Sequence, residues 1–447
     1  MLNQVKSRLA GKRILLGIAI CIAAHHGLIA QQAPLTGQVT GRTTPGSVGI
    51  VIEAPIDSSQ LQPFLSAIRQ DPRSAKAAEA YLAIAKLKYD NRAYNAALED
   101  LRKVVRDYPT GSYSEEAAYY LTSTLARTNH FEEAITEAKR ALAAYSKGHW
   151  SDGQQYYLGR AYYALERSDL ALGELNSIVE KHPNSLYRDD ALKLIADTYK
   201  RAKQYDRAIE PLRKIVAESK DQSRRNEAQL EIGWLYSVNN QIETAVAEYQ
   251  KAASMDNSVA ARAGHETGYV HVNRGDYRKA KEAFQKVAEQ YPADWFGQQA
   301  SFRVGYCLAE LGEYKSALQQ LAETDSAYPG FEQRDLLLWY KGISHEGLDQ
   351  LEQAKLISQG VAVSDSIHSK SELSGFLLWY KGILQKRLEH LGQAKSVLQE
   401  LTTRYPKSAL VKAAEDKLAQ IEHAIKELEG EKERVSKELE SQGTPEQ

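Results

Sequence analysis

The 447-residue chain contains little cysteine and little net charge. It has two cysteines, Cys21 and Cys307, and Cys21 lies in a segment that we expect to be removed, so we expect no internal disulfide. The formal net charge is −1, and without the first 30 residues 53 basic residues stand against 58 acidic ones. A mildly acidic chain gives no electrostatic basis for binding nucleic acid or anionic lipid, so we predict neither.

The chain also lacks a long hydrophobic run. Its longest, residues 14–24, is too short to span about 30 Å of hydrocarbon, and four basic residues precede it. This order is typical of a Sec export signal, and we predict a signal peptide over residues 1–30 and a periplasmic location, with a retained anchor as the alternative. Lipid attachment at Cys21 is disfavoured, because the preceding Ile20 is bulky where that pattern requires a small residue.

Motifs for bond chemistry are equally scarce. His265 and His271 are six residues apart, not four, so they lie on different faces of a helix and do not form a zinc pair. No serine lies in a Gly-x-Ser-x-Gly turn, and Cys307 falls at a small, buried position of a predicted helix. We therefore predict no catalytic residue, no metal site and no cofactor, and a protein that is not an enzyme.

A regular spacing of alanines is the main feature present. The separations between them are 37 residues in six of eight intervals, with one of 35 and one of 40. A fixed period of this size indicates a stack of similar supersecondary units. The alanines are Ala97, Ala134, Ala171, Ala208, Ala245, Ala280, Ala317, Ala354 and Ala394.

Each period has the pattern of two antiparallel helices. Around Ala280, Gly268 lies twelve residues before and Phe284 four after, and Pro292 ends the second helix. Small residues at both helix positions let the two backbones approach. The residue twelve before each alanine is here called the small position. The small positions are Ala85, Thr122, Gly159, Ala196, Gly233, Gly268, Gly305, Gly342 and Gly382.

These columns resemble the tetratricopeptide repeat, whose usual period is 34 residues. The three extra residues follow the proline, where Pro109, Pro183 and Pro292 each precede an aromatic residue by four positions. We expect that aromatic ring to pack on the preceding repeat. The junction is similar to the arrays of bacterial envelope proteins, namely the outer-membrane-assembly lipoprotein and the coordinator associated with the Tol–Pal system. The resemblance implies an all-α, right-handed α-solenoid of about nine repeats over residues 73–406.

The ends of the array differ from the repeats. Residues 31–57 are rich in Thr, Gly, Gln and Pro and predict a flexible linker, and residues 58–72 predict an N-terminal half-repeat cap. Residues 407–447 predict a capping helix with a charged tail. Apolar residues between 411 and 439 follow coiled-coil spacing, so a homo-oligomer through this segment is the alternative.

The resemblance also implies a binding surface. In the family, first helices line a concave groove, and the residues three before and one after the small position commonly face it. Here these positions include Tyr119, Tyr156, Arg160, Lys193, Asp197, Trp234, His265, Tyr269, Phe302, Tyr306, Trp339 and Trp379. No repeat carries the Lys-Asn pair with which some members of the family hold a C-terminal carboxylate.

Two of these tryptophans lie in duplicated segments. Residues 337–343 and 377–383 share the sequence Leu-Leu-Trp-Tyr-Lys-Gly-Ile, which is explained by internal duplication and core packing or by a paired binding site through Trp339 and Trp379.

We therefore predict an exported, non-enzymatic scaffold of the bacterial cell envelope that binds peptides or helices of protein partners in its groove. The alternatives are an accessory domain for an envelope enzyme, such as a cell-wall hydrolase, and a subunit of a secretion or pilus apparatus.

Overall fold

The computed structural model describes residues 58–111, 113–364 and 370–441, and over these ranges every regular element is an α-helix. The predicted signal peptide, Cys21 and the linker over 31–57 lie outside the described residues. The described residues form two compact units, one ending at Asp256 and the other beginning at Asn257. None of the described helices is both long and apolar enough to cross a bilayer.

The N-terminal unit consists of eleven helices over its described residues. They are α1 (Ser58–Gln70), α2 (Ala75–Asp90), α3 (Tyr94–Asp107), α4 (Ser114–Arg127), α5 (Phe131–Ala144), α6 (Ser151–Ala164), α7 (Ser168–Lys181), α8 (Arg188–Arg201), α9 (Tyr205–Glu218), α10 (Gln222–Val238) and α11 (Ile242–Met255). Helix α1 packs on α2, at the place predicted for the half-repeat cap. The other ten form five antiparallel pairs.

The C-terminal unit has seven helices in the part described. They are α12 (Asn257–Asn273), α13 (Tyr277–Gln290), α14 (Trp295–Glu310), α15 (Tyr314–Ala327), α16 (Arg334–Ser364), α17 (Lys370–Arg404) and α18 (Val411–Ser441). The first four form two further pairs like those of the N-terminal unit, whereas the last three are much longer.

A close backbone approach holds each pair together at the small position. A Cβ added to Gly159 would lie 2.8 Å from Leu175 Cγ, and one added to Gly268 would lie 2.4 Å from Phe284 Cε1. In both cases the large residue is sixteen positions further on, in the second helix, and is fully buried. The small residue therefore forms the hole that the large residue fills, as the repeat pattern predicts.

The turn within each pair is set by one residue with positive φ, seven positions after the small position. That conformation interrupts the first helix and lets the chain reverse. Two of these residues are glycine, two are asparagine, and the other three are residue types that rarely adopt a positive φ. They are Arg92, Asn129, Glu166, Lys203, Asn240, Gly275 and Gly312.

The all-α repeat fold is confirmed, but the structure differs from the prediction in the eighth and ninth repeats. The residue at the turn position of the eighth repeat, Asp349, lies inside the continuous helix α16, and its carboxylate pairs with Arg387 of α17 at 2.8 Å. The space over Gly342 is filled by Leu398, which belongs to the ninth repeat.

The sequence supplies the physical reason. Sixteen positions after Gly342 stands Ser358, where the other pairs of this unit place Phe284 and Leu321. Leu398 offers the large apolar side chain that the hole requires. The second helix of the ninth repeat therefore completes the eighth, and α16 and α17 form a long hairpin.

Helix α18 packs along α17 through the predicted coiled-coil seam. Ala414, Ile421, Leu428 and Val435, seven residues apart, are all buried against this hairpin. At the interruption of the seam, Lys432 donates a hydrogen bond to Gln385 of α17. The seam over residues 411–439 is therefore occupied within the chain, which favours the capping helix over the homo-oligomer.

Candidate functional site

Aromatic residues nine positions before the small positions pack on the preceding repeat. We call them the junction rings: Tyr113, Trp150, Tyr187 and Phe296. In the N-terminal unit, Trp150 stacks on Tyr119 with ring centroids 4.4 Å apart, and Tyr187 stacks on Tyr156 at 5.0 Å. The expected packing of the ring on the preceding repeat is confirmed for Tyr187, and Trp150, which follows Ser146 instead of a proline, packs in the same way.

The C-terminal unit repeats this arrangement. Phe296 lies 5.4 Å from His265, and Phe331, from the loop before α16, lies 5.4 Å from Phe302. Each residue covered in this way lies three residues before a small position, and the family resemblance predicts that residues at this place face the groove. The three extra residues of the period bring a ring over that column, so part of the predicted surface is used for packing between repeats.

Burial divides the twelve predicted groove residues into three groups. Five are buried, namely Tyr119, His265, Phe302, Tyr306 and Trp339. Six are half-buried: Tyr156, Arg160, Lys193, Asp197, Tyr269 and Trp379. Trp234 is exposed, with 39% of its surface accessible.

A charged network connects the first helices of the fourth and fifth repeats. Lys193 Nζ lies 2.7 Å from Asp197 Oδ1, and Lys200 Nζ lies 2.6 Å from the same oxygen. Both lysines also pair with Glu231, whose side chain is only 3% exposed. Burial of Asp197 would raise its pKa, but the charges of the two lysines outweigh burial and hold the pKa below its usual value. The two positive and two negative charges neutralise one another.

An exposed aromatic ring lies beside this network. Lys200 Nζ is 5.9 Å from the centre of the Trp234 ring, a cation–π distance that orients the indole while leaving it accessible. Arg160 stands one repeat earlier than Asp197 in the same column, is half-buried, and makes no ion pair with another described residue. We call Arg160, Lys193, Asp197, Lys200 and Trp234 the charged–aromatic patch.

Sequence reasoning missed a hydrogen-bonded cluster around Arg127. Its Nε donates to Tyr89 Oη at 2.9 Å and its Nη2 to Tyr157 Oη at 3.2 Å, and Tyr89 Oη lies 2.6 Å from Ser123 Oγ. The four residues come from the first helices of three successive repeats. Burial is the main cause that raises the pKa of Tyr89, so this phenol stays protonated. The abundance of tyrosine, 26 residues, was the available signal.

The C-terminal unit buries two polar groups in its aromatic core. His265 is 4% exposed, and burial followed by the nearby Arg303 charge lowers its pKa to about 3, so it is neutral at pH 7. Arg303 is 2% exposed; its guanidinium lies 5.1 Å from the rings of Tyr269 and Phe302, and Nη2 donates to Gln333 Oε1 at 3.4 Å. Stacking on aromatic rings compensates part of the lost hydration.

Among the described residues, no cluster of histidine, cysteine, aspartate or glutamate side chains could hold a metal ion. Burial raises the pKa of Cys307 to about 12, so its thiol is not a nucleophile at neutral pH. A pocket of about 580 Å³ opens between residues 146–152 and 181–185, where Ser185 Oγ donates to Asp152 Oδ2 at 2.6 Å. His149 and His182 also line the pocket, but the Ser185 hydroxyl donates to the Asp152 carboxylate and not to an imidazole, so these groups are not arranged as a Ser-His-Asp triad.

Comparison with protein families supports both halves of the resemblance. Residues 258–431 match a family model described as an outer membrane lipoprotein. Three tetratricopeptide-repeat models match residues 82–149, 155–185 and 227–259. The first match lies entirely in the C-terminal unit.

Solved structures with a similar arrangement share little sequence. A tetratricopeptide-repeat protein from Parabacteroides merdae is 15% identical over 60% of this chain and 99% of its own, with a TM-score of 0.39. Pseudomonas aeruginosa pilF is 18% identical, covering 51% of this chain and 98% of its own at a TM-score of 0.36. YrrB, described as a tetratricopeptide-repeat protein with an unusual peptide-binding site, is 16% identical over 45% of this chain and 98% of its own, at 0.34. No curated protein matches the sequence.

The family matches cover six of the seven helix pairs in whole or part, and those pairs have the small positions, the positive-φ turns and the buried alanines of the repeat. Repeats of this kind build extended surfaces for binding other proteins. The chain is a tetratricopeptide-repeat protein, an all-α protein–protein interaction scaffold.

Proposed function

We propose that the protein is an exported, non-enzymatic scaffold of the bacterial cell envelope, and that its charged–aromatic patch binds a peptide or helix of an envelope protein. The match of residues 258–431 to an outer membrane lipoprotein model supports the envelope. The basic and apolar N-terminal sequence supports export. The main support for the binding site is the exposure of Trp234. Of the twelve predicted groove residues, it alone is exposed, and the others are buried or half-buried.

The patch has a defined chemistry. The indole of Trp234 offers a large apolar contact at low entropic cost, and Arg160 offers a charge that no described carboxylate neutralises. Lys193, Asp197 and Lys200 are already paired with one another, so they position the surface more than they attract a ligand. The ligand that fits is an extended segment or helix with an apolar side chain and an acidic group.

Binding is tested by immobilising the full chain and measuring proteins retained from an envelope extract. Trp234→Ala is expected to lose at least tenfold in retention of the main partner, because exposed tryptophans at interface centres commonly contribute 2 kcal/mol or more. Leu170→Ala is the matched control, since Leu170 is 52% exposed but lies on the second helix α7. Equal retention by both variants would contradict the proposed site.

Export is tested separately by fractionating cells that produce the full chain. We expect the protein in the periplasmic or membrane fraction, with an N-terminus near Gln31 by mass spectrometry. Recovery in the cytoplasm with an intact N-terminus would refute the envelope location without bearing on the patch.

A further inference from the structure

The duplicated segments have the same seven residues but different surroundings. In α16, Leu338 is 1% exposed, and a Cβ at Gly342 would lie 2.8 Å from Leu398 Cδ2. In α17, the equivalent Leu378 is 59% exposed and the equivalent Gly382 is exposed, with no described atom near its Cβ position. One copy of the surface is therefore covered by a helix, and the other is open.

The covered copy shows what the surface binds. Its occupant is the second half of α17, which places Leu391, Ala394, Leu398 and Leu401 against the hairpin core, each at most 2% exposed. Leu398 fills the hole that Gly342 leaves. The occupant is thus an amphipathic helix with leucine, alanine and leucine at spacings of three and four.

Among the described helices of the C-terminal unit, none is available as a second helix of this kind for the open copy. The eighth repeat's own second segment has Ala354 but carries Ser358 where leucine is required. The helix that ends at Arg404 is already docked on α16, and the apolar seam of α18 is buried against the hairpin. Within the part of the chain that the structure describes, the open surface therefore has no occupant.

We propose that the open face of α17 around Leu378 and Gly382 docks an amphipathic helix of another protein that carries this Leu-x-x-Ala-x-x-x-Leu pattern. Because α17 exposes Leu378 and Gly382 where α16 has Leu338 and Gly342, the incoming leucine fits over Gly382 as Leu398 fits over Gly342, and its alanine permits close approach. This docking face lies in the C-terminal unit and does not depend on the charged–aromatic patch or on export.

The probe is a fluorescent peptide with the sequence of residues 389–404, kept helical by a lactam bridge on its solvent side, since so short a helix is only marginally stable when free. Fluorescence anisotropy with the full-length protein should show saturable one-to-one binding. A matched peptide with the substitution Leu398→Ser should bind at least tenfold more weakly, because it loses the side chain that fills the hole.

The protein variant that tests the face is Gly382→Arg, which places a long charged side chain in the hole. Arginine has a higher helix propensity than glycine and Gly382 is exposed, so the variant is expected to fold, as its circular dichroism spectrum would show. We expect it to lose peptide binding by at least tenfold, whereas Leu170→Ala leaves binding unchanged.

Three results would overturn the proposal. Undiminished binding to Gly382→Arg would mean that the peptide exchanges with the chain's own helix on α16. Absence of saturable binding to wild type would mean that the open face holds no helix. A wild-type dimer in sedimentation that Gly382→Arg abolishes would assign the face to a second copy instead of a different protein.

Discussion

Replacing Gly342 by alanine tests how the long hairpin is packed. The new Cβ would lie 2.8 Å from Leu398 Cδ2 and 2.9 Å from its Cγ, closer than carbon atoms approach without displacement. Leu398 is fully buried, so it can move away from the new Cβ only by displacing other core atoms. Overpacking of this kind costs about 1–3 kcal/mol, against a gain of about 1 kcal/mol in helix propensity over glycine. We expect Gly342→Ala to lower the free energy of unfolding by about 0–2 kcal/mol.

The duplicated glycine provides the matched variant. Gly382 has the same neighbours in sequence but is exposed, so Gly382→Ala gains the propensity of about 1 kcal/mol and meets no atom of the described residues. The two variants should therefore differ by about 1–3 kcal/mol. Thermal unfolding followed by circular dichroism resolves this, since 1 kcal/mol shifts the midpoint by about 2–4 °C in a unit of this size.

The arrangement of nine regular repeats predicts the opposite order. In that arrangement Leu398 would face Gly382, the small position of its own repeat, and Gly342 would face Ser358. Gly382→Ala would then be the more destabilising substitution. A lower unfolding midpoint for Gly382→Ala than for Gly342→Ala would refute the hairpin packing described above.

Three further predictions concern buried groups of the C-terminal unit. The pKa of His265 is lowered to about 3 in the folded state, so between about pH 6.5 and pH 3 the unfolded chain binds a proton that the folded chain does not. The free energy of unfolding should therefore fall as the pH is lowered through this range. In urea unfolding at several pH values, His265→Gln should show a smaller decrease of this free energy than the wild type. Arg387→Met should cost about 3–5 kcal/mol by leaving Asp349 buried and unpaired, and Asp349→Leu in the same chain should restore most of it in a double-mutant cycle. Cys307 should react with a thiol reagent only after denaturation, since its sulfur is buried and its pKa is raised to about 12; rapid labelling of the native protein would contradict this placement.

The helix pairs could be predicted from the sequence because their causes are local. The spacing between Gly159 and Leu175, or between Gly268 and Phe284, is fixed within a single repeat. The proline ends the second helix because it lacks a backbone N–H, which is also a local effect. The docking of the junction ring was also predictable, since the distance from Pro183 to Tyr187 is part of the period.

The fused hairpin could not be predicted because it depends on a comparison between repeats. Ala354 preserves the period, so the eighth repeat looks complete, and only the competition between Ser358 and Leu398 for one hole distinguishes the two arrangements. The identity of Asp349 alone also does not predict that this turn position will lie inside a continuous helix and pair with Arg387 of the next helix.

The groove was predicted less well for a similar reason. A 34-residue repeat leaves the residue three before the small position open, and the three residues added here bring a ring over it. Tyr119 and Tyr156 therefore stack on Trp150 and Tyr187 instead of facing solvent. No sequence pattern distinguishes the rings that stack from those that, like Trp234, stay accessible.

The junction rings also have a consequence for how the array folds. In a linear stack, stability is a sum of the intrinsic stability of each repeat and the coupling between neighbours. A ring such as Tyr187 belongs by sequence to one repeat but contributes its burial to the one before, so it transfers free energy from the intrinsic term to the coupling term. The N-terminal unit should then unfold more cooperatively than a 34-residue array of equal length. A chain shortened at Pro183 would leave Tyr156 uncovered, whereas one that retains Tyr187 would keep its last repeat closed.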